Sequence, residues 1–180
     1  MTVAVVGTRH PNGVQKQRCR EAVQAALRAG HPIVTGGAPG IDSIAVHAAQ
    51  AAGCAERVTL VLPWERFQGW QDLRLRRVVL DPEEHAGWLR EARRLHPVPE
   101  RVSRGAWLLL ARDVGIATIA DIVLSFPQGG DRGGTAFTCR TARALGKPVH
   151  EDVGHPRGGL DLCRAVEALS ARTPVAAATR

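Results

Sequence analysis

The stretch IVTGGAPGIDSIAVHAA, residues 33–49, joins three different local patterns. A short apolar run, IVT, is followed by a turn rich in glycine and then by residues with helical spacing. Glycine loses more conformational entropy on folding than any other residue. A cluster of glycines therefore indicates either a turn with unusual dihedral angles or a backbone that another group approaches closely. The second case would make this turn a ligand site.

The same order of strand, turn and helix recurs on both sides of this stretch. The predicted elements are strands over 3–7, 31–37, 57–63, 120–127 and 147–150, and helices over 14–29, 41–52, 135–145 and 160–169. Strands that alternate with helices form parallel sheets covered on both faces. The sequence therefore predicts an α/β fold, a Rossmann-like, doubly wound and mainly parallel sheet with helices on both faces.

The length of 180 residues suits one domain. We predict this domain over 1–172, with a C-terminal tail over 173–180. The segment 64–105 breaks the alternation and is predicted as an insertion with its own helix over 81–97, for which Asp81 suits the N-cap. The insertion is a lid, an interface or a solvated charged face. Its tryptophans, Trp64, Trp70 and Trp88, suit either an interface or base stacking, whereas Trp107 in AWLLLA suits the core.

Composition limits the classes of partner. The net charge is +7, and Lys16 and Lys147 are the only lysines, so the other basic residues are arginines. Arginine binds two phosphate oxygens at once, which favours an anionic partner, although a GC-rich genome also produces an arginine-rich chain. The apolar runs are too short for a membrane span or a signal peptide, which predicts a cytoplasmic protein without a membrane partner. The four cysteines form no CxxC pair, so we predict reduced thiols and no metal site.

Three glycine-rich loops carry the functional prediction. GTRHPNG (7–13), TGGAPGID (35–42) and PQGGDRGGT (127–135) follow predicted strands one, two and four. Such loops lie at the carboxyl edge of a parallel sheet, where ligands bind, and helix N-termini there offer N–H donors to phosphate. Taken singly, each loop is also explained as a structural turn. The predicted phosphate-binding residues in these loops are Gly7, Thr8, Arg9, Gly36, Gly37, Gly40, Gly130, Arg132, Gly133, Gly134 and Thr135.

The usual nucleotide fingerprints are missing from these loops. The first turn lacks GxGxxG, and the chain contains no GxxxxGK[ST] sequence. This disfavours NAD binding and ATP hydrolysis, and we predict no cofactor and no catalytic residue.

The loops and their flanks resemble the DNA-processing protein A family. TGGAPGIDSIAVHAA (35–49) resembles its SGxARGIDxxAHxxA stretch, and RDVGIATIAD (112–121) resembles RNRIIAxLSD. GGTAFTCRTARALGKPV (133–149) is similar to SGTxxTAxxAxxxGRxV, and VAVVGTRHPNG (3–13) is similar to the VGSR opening. The resemblance covers about two thirds of the chain and is typical of the wider SLOG group of Rossmann-like folds.

The resemblance implies binding of single-stranded DNA at the glycine-rich edge, a homodimer and a role in recombination. It adds Asp42 and Arg112 to the predicted phosphate site, although a turn or cap hydrogen bond explains Asp42 equally well. The chain departs from the family pattern where Pro39 replaces an arginine and Asp113 replaces an asparagine. Sensing of a small nucleotide is the alternative function.

A more distant resemblance is to the lonely-guy phosphoribohydrolases, which cleave nucleoside monophosphates at the N-glycosidic bond and carry PGGxGTxxE. Thr138 stands where that motif has its glutamate. A threonine cannot replace a carboxylate that activates water, so this activity is disfavoured unless Asp42, Asp121 or Asp131 takes the role.

Overall fold

One parallel sheet forms the centre of the computed structural model, which describes residues 1–70, 74–128, 133–152 and 165. The strands are β1 (Val3–Gly7), β2 (Ile33–Thr35), β3 (Val58–Leu62), β4 (Arg76–Val79), β5 (Ile122–Phe126) and β6 (Val149–Glu151). The helices are α1 (Gly13–Arg28), α2 (Ile41–Ala51), α3 (Ala86–Leu95), α4 (Arg104–Ile119) and α5 (Gly134–Ala144). Short 3₁₀ turns cover Ala55–Arg57, Phe67–Gly69 and Pro99–Arg101.

The strand order is β4-β3-β2-β1-β5-β6, and every neighbouring pair is parallel. Val3 pairs with Ile33 on one side and with Ile122 on the other. From β1 the chain adds β2, β3 and β4 on one side of the sheet and then adds β5 and β6 on the other. The direction in which strands are added therefore reverses between β1 and β5. Sheets of this kind bind ligands at such a switch point, beyond the carboxyl ends of the strands. The predicted fold class is confirmed.

Strand side chains alternate between two cores, one on each face of the sheet. Val3 and Val5 pack with α1 and α2, whereas Ala4 and Val6 pack with α4 and α5. All four side chains are buried. Burying a valine contributes roughly 1.5–3 kcal/mol, so both faces hold the loops at the strand ends firmly in place.

The segment predicted as an insertion contributes to the sheet itself. β4 lies inside it and pairs with β3, with Leu60 opposite Arg77. Arg76 and Arg77 are exposed, and charged side chains are typical of an edge strand because they discourage pairing with another chain. α4 is a second element that the predicted list lacks.

The helix expected over 81–97 begins later, at Ala86. The Asp81 carboxylate accepts hydrogen bonds from the backbone N–H groups of Glu83 (2.8 Å) and Glu84 (2.9 Å), so it stabilises a turn ahead of the helix and does not cap it. The predicted last helix (160–169) and tail (173–180) lie outside the described residues, residue 165 excepted. In the described ranges, no helix combines the length and apolar character needed to cross a bilayer.

Candidate functional site

A cavity of about 420 Å³ opens at the switch point, at the carboxyl ends of β1 and β5. The first glycine-rich loop and the described residues of the third form two of its walls, and α4 and the start of α2 supply buried charged side chains. Val6, Ala38 and Ile116 add apolar surface. Ligand sites of small molecules are commonly 300–1,000 Å³, so this cavity is large enough for one nucleotide.

The cavity brings together most of the predicted site residues. Those that line it are Gly7, Thr8, Arg9, Asp42, Arg112, Gly133, Gly134 and Thr135. Gly36, Gly37 and Gly40 do not line it, and Gly130 and Arg132 lie outside the described residues. Residues of all three loops thus line one cavity, and the second loop contributes Ala38 and Asp42 to it instead of its glycines.

The glycines of the second loop permit close contacts within the protein. Gly40 has a φ of 88°, and a Cβ there would lie 2.3 Å from the Thr8 carbonyl oxygen. A Cβ on Gly37 would lie 2.7 Å from Nε1 of Trp70, and one on Gly36 would lie 3.0 Å from Cζ of Arg112. In this loop, the approaching groups are the first loop, a tryptophan and a buried arginine.

The three helix N-termini near the cavity differ in how their N–H groups are satisfied. Asn12 and Gln15 form a capping box at the start of α1. At α2, the N–H of Ile41 donates to the Thr8 carbonyl (3.1 Å) and that of Ser43 to the Ala38 carbonyl (3.1 Å). α5 begins at Gly134, and its N-cap is Gly133, which has no side chain with which to cap it. The first N–H groups of a helix have no partner within it. Those of α5 have no acceptor in the described part of the chain, so α5 is the helix that best offers donors to the cavity.

A buried cluster of charges lies at the floor of the cavity. Arg112 donates to Oδ1 of Asp113 from Nη2 (2.7 Å) and Nε (3.1 Å). Oδ2 of Asp42 accepts hydrogen bonds from the N–H groups of Gly36 (3.2 Å) and Ala38 (3.3 Å). Arg112 also lies near the Gly36 carbonyl, with Nη1 at 3.5 Å. These contacts join the second loop to α4.

Burial controls the protonation of this cluster. It raises the pKa of Asp42 to about 6, against the opposing effect of Arg112. Burial also raises the pKa of Asp113, which Arg112 and Arg9 partly offset. For Arg112, burial acts to lower the pKa, but Asp113 and Asp42 outweigh it and raise the pKa. The floor therefore carries one cation and two carboxylates, and the exposed Arg9 lies at the mouth.

The chain matches the family described as DNA recombination-mediator protein A over residues 1–159. It belongs to this family. The predicted family is thereby confirmed. No curated protein matches the chain by sequence.

Solved structures of two family members share the fold. DNA processing protein A from Helicobacter pylori, whose structure concerns a single-stranded DNA binding mode, is 19% identical with a TM-score of 0.62, and the match covers 95% of this chain and 79% of that one. The Streptococcus pneumoniae protein is 22% identical with a TM-score of 0.59, with 93% and 56% covered. This chain thus spans little more than half of the pneumococcal chain.

The fold is also shared with a molybdenum cofactor carrier protein from Chlamydomonas reinhardtii. That protein is 19% identical with a TM-score of 0.56, and the match covers 93% of this chain and 84% of that one. The fold of this family member therefore also occurs in a carrier of a small cofactor.

The departures from the family motifs have defined places in the structure. Asp113, which replaces an asparagine, lines the cavity. Thr138 lines it too, but its hydroxyl donates to the Gly134 carbonyl within α5 (3.0 Å). Three aspartates are candidates to replace the glutamate of the lonely-guy motif. Asp42 lies in the cavity, whereas Asp121 accepts a hydrogen bond from the Thr2 N–H (2.6 Å) at the opposite edge of the sheet. Asp131 is outside the described residues.

Two arginines near the cavity are absent from the predicted site residues. A second cavity of about 190 Å³ shares Pro127, Thr135 and Ala136 with the first, and Arg140 and Arg143 line it. Both arginines are exposed, and Arg143 pairs with Glu151. Their spacing of three on α5, just after the third loop, is the signal that could have found them. Gln128 accepts a hydrogen bond from the Thr8 hydroxyl (2.9 Å). No pattern in the sequence marks this residue as part of the site.

The four tryptophans differ in their exposure to solvent and in the groups that they contact. Trp64 follows β3 at the carboxyl edge, is 43% exposed and packs edge-on against Phe67, whose ring also contacts Arg112. Trp70 donates to the Gly37 carbonyl (2.8 Å) and contacts the ring of His47. Trp88 and Trp107 pack between α3 and α4 and are partly buried. Trp64 is therefore the tryptophan that suits base stacking.

Proposed function

We propose that this chain binds single-stranded DNA at the carboxyl edge of its sheet and acts in DNA processing. Family membership supports the DNA-processing role. The observation that carries the binding proposal is the cavity between β1 and β5, where Arg9 lies at the mouth and no described side chain caps the start of α5. Helix N-termini and arginines are the groups that proteins use to hold phosphates.

A second group of arginines, beyond the first cavity, favours a nucleic-acid strand over a single nucleotide as the ligand. The second cavity continues from the first around the start of α5 and adds Arg140 and Arg143. These groups follow one another along the same edge of the sheet. Arg143 pairs with Glu151, so Arg9 and Arg140 are the arginines that we propose to hold the phosphates. Basic side chains placed along a groove track the backbone of a single strand without reading its sequence.

Trp64 also supports the binding of a single strand. Its exposed ring lies at the carboxyl edge, and it connects to the floor of the cavity through Phe67 and Arg112. Bases of single strands stack on such exposed aromatic rings. We propose that one base of the strand stacks on Trp64.

The alternative is that the cavity holds one small nucleotide. Its volume suits a single nucleotide, and its two buried carboxylates repel a continuous run of phosphates. The cofactor carrier with the same fold favours this alternative as an example of small-ligand binding. Equilibrium dialysis against nucleoside monophosphates detects it, and chromatography of the same samples detects any free base released by hydrolysis.

We further propose a homodimer in the cytoplasm, as the family resemblance implies. Light scattering of the purified chain measures its mass in solution. A mass of two chains supports the dimer, and a mass of one chain at all concentrations contradicts it. Cell fractionation tests the compartment.

Competition binding tests the proposed function against its alternative. A fluorescent oligo-dC is bound to the protein and displaced by unlabelled oligo-dC or by a mononucleotide panel. The proposal predicts displacement by oligonucleotide at far lower concentration than by any mononucleotide. Displacement by one mononucleotide alone, or no oligonucleotide binding at all, would overturn it.

A further inference from the structure

We propose that the buried carboxylates Asp42 and Asp113 make this site select bases that carry an amino group. The inference deepens the proposed function and rests on it, because it names which part of a nucleotide enters the cavity. The base enters the floor with its hydrogen-bond donors toward the carboxylates, and the phosphate stays at the mouth.

Asp113 presents an acceptor that the protein leaves open. Both hydrogen bonds from Arg112 go to Oδ1, and Oδ2 has no hydrogen-bond partner in the described part of the chain. The side chain is only 4% exposed, yet the residue lines the cavity. A Cβ on Gly134 would lie 3.0 Å from Oδ2, so this oxygen faces the first turn of α5.

Asp42 is arranged in the same manner. Its Oδ2 accepts the N–H groups of Gly36 and Ala38, while Oδ1 has no hydrogen-bond partner among the described residues. The residue is 5% exposed and lines the same cavity. Two nearly buried carboxylates therefore each direct one satisfied oxygen to the protein and retain one open acceptor.

An open acceptor in a nearly buried site needs a donor from the ligand. A buried polar group without a partner costs free energy, and a charged one costs more. A phosphate cannot supply the donor and is repelled by both carboxylates. An exocyclic amino group can supply it, as the amino group of cytosine does to aspartate in other proteins.

The rest of the cavity fits a base at the floor and a phosphate outside. Val6, Ala38 and Ile116 supply apolar surface for the faces of a flat ring. The exposed Arg9 and the residue Thr135 lie farther out, where they can hold the phosphate. Asp113 faces the first turn of α5 from the floor, so the phosphate is restricted to the outer side of this helix start, beside Arg9 and Thr135.

Pairs of nucleotides that differ in one amino group test the inference. GMP and IMP differ only in the 2-amino group, and AMP and purine riboside 5′-monophosphate differ only in the 6-amino group. Each competes with fluorescent oligo-dC for the intact protein. We expect the amino-bearing member of at least one pair to bind about tenfold more tightly, the scale of one hydrogen bond to a charged group.

Variants identify the carboxylates as the source of this preference. Asp113→Asn keeps an acceptor for Arg112, and Asp42→Asn keeps one for the two N–H groups. Each removes a negative charge and so strengthens binding of any anion, which makes the ratio within a pair the informative readout. We expect either variant to reduce the ratio to about twofold or less, while Asp121→Asn, at the opposite edge, keeps it.

The possible failures are distinguishable. Equal binding within both pairs, with oligonucleotide still bound, overturns the base preference and leaves the proposed function standing. An unchanged ratio in both folded variants also overturns it. If neither oligonucleotide nor nucleotide binds, the proposed function fails and this inference fails with it.

Discussion

The backbone of Gly40 lies against the Thr8 carbonyl, so closely that a Cβ would be 2.3 Å from its oxygen. The N–H of Ile41 donates to the same carbonyl (3.1 Å). The first and second glycine-rich loops are thereby held together at the start of α2. The position of Arg9, one residue further, depends on this contact.

Gly40→Ala is expected to destabilise the protein strongly. The φ of 88° disfavours any side chain. The new methyl group would also clash with the backbone of Thr8 and Arg9, which cannot rotate out of the way as a flexible side chain can. We expect a loss of about 3 kcal/mol or more in the free energy of unfolding, measured by urea denaturation. Gly53→Ala is the matched control, because Gly53 has a φ of 69° with open space around it, and its loss is about 1 kcal/mol. Equal losses would contradict the account of the loop contact.

Asp42 is expected to make stability fall as the pH rises. Its folded pKa is about 6, above an unfolded value of about 3.9, so the folded state binds the proton more tightly. The contribution of Asp42 to the free energy of unfolding is at its maximum below about pH 4, and most of it is lost by about pH 6. The substitution Asp42→Asn removes this titration, while Arg112 and Asp113 are present in both proteins. Between about pH 4.5 and about pH 7.5, the variant should therefore gain roughly 2 kcal/mol over the parent in urea denaturation. The same difference at both pH values would show that Asp42 titrates normally.

Lys147 is expected to stabilise the end of α4. Its Nζ donates to the carbonyls of Ala117 (2.8 Å), Thr118 (2.5 Å) and Ala120 (2.5 Å). A lysine on the last carbonyls of a helix satisfies acceptors that lack partners and complements the helix dipole. We expect Lys147→Met to lower the free energy of unfolding by about 1–2 kcal/mol. Lys16→Met, at an exposed position on α1, should change it by less than about 0.5 kcal/mol.

Trp64 is expected to affect binding more than stability. Because the ring is 43% exposed, Trp64→Ala should leave the thermal unfolding temperature nearly unchanged. Loss of one stacked base should weaken binding of oligo-dC about tenfold, and Trp64→Phe should restore most of it. Unchanged affinity of the alanine variant would remove Trp64 from the proposed site.

The sequence predicted the sheet well because its central strands are buried on both faces. Such strands appear as continuous apolar runs, as in VAVVG (3–7) and IVLSF (122–126). β4 lacks this signal because it is an edge strand that begins with two exposed arginines. Its pairing with β3 is a tertiary contact that no local pattern records.

The site was predicted in part for a similar reason. Glycine-rich loops after parallel strands indicate where a site lies, and the three loops do meet at one cavity. A glycine in sequence does not reveal which group approaches it, and in the second loop that group is Thr8, Trp70 or Arg112. Asp113 was visible only as a departure from a motif, since its position at the cavity floor depends on the packing of α4.

The salt dependence of oligo-dC binding shows whether the carboxyl edge of the sheet holds the phosphates of a single strand. For single strands, the logarithm of the affinity falls against the logarithm of the salt concentration with a slope of about −0.7 for each phosphate neutralised. We predict a slope near −2 for the parent protein, and a shallower slope by about 0.7 in each of Arg9→Ala and Arg140→Ala. Arg28→Ala, at the exposed end of α1 on the opposite edge, should keep the parental slope. Binding that is indifferent to salt, or the same slope in all three variants, would contradict a phosphate path along this edge of the sheet.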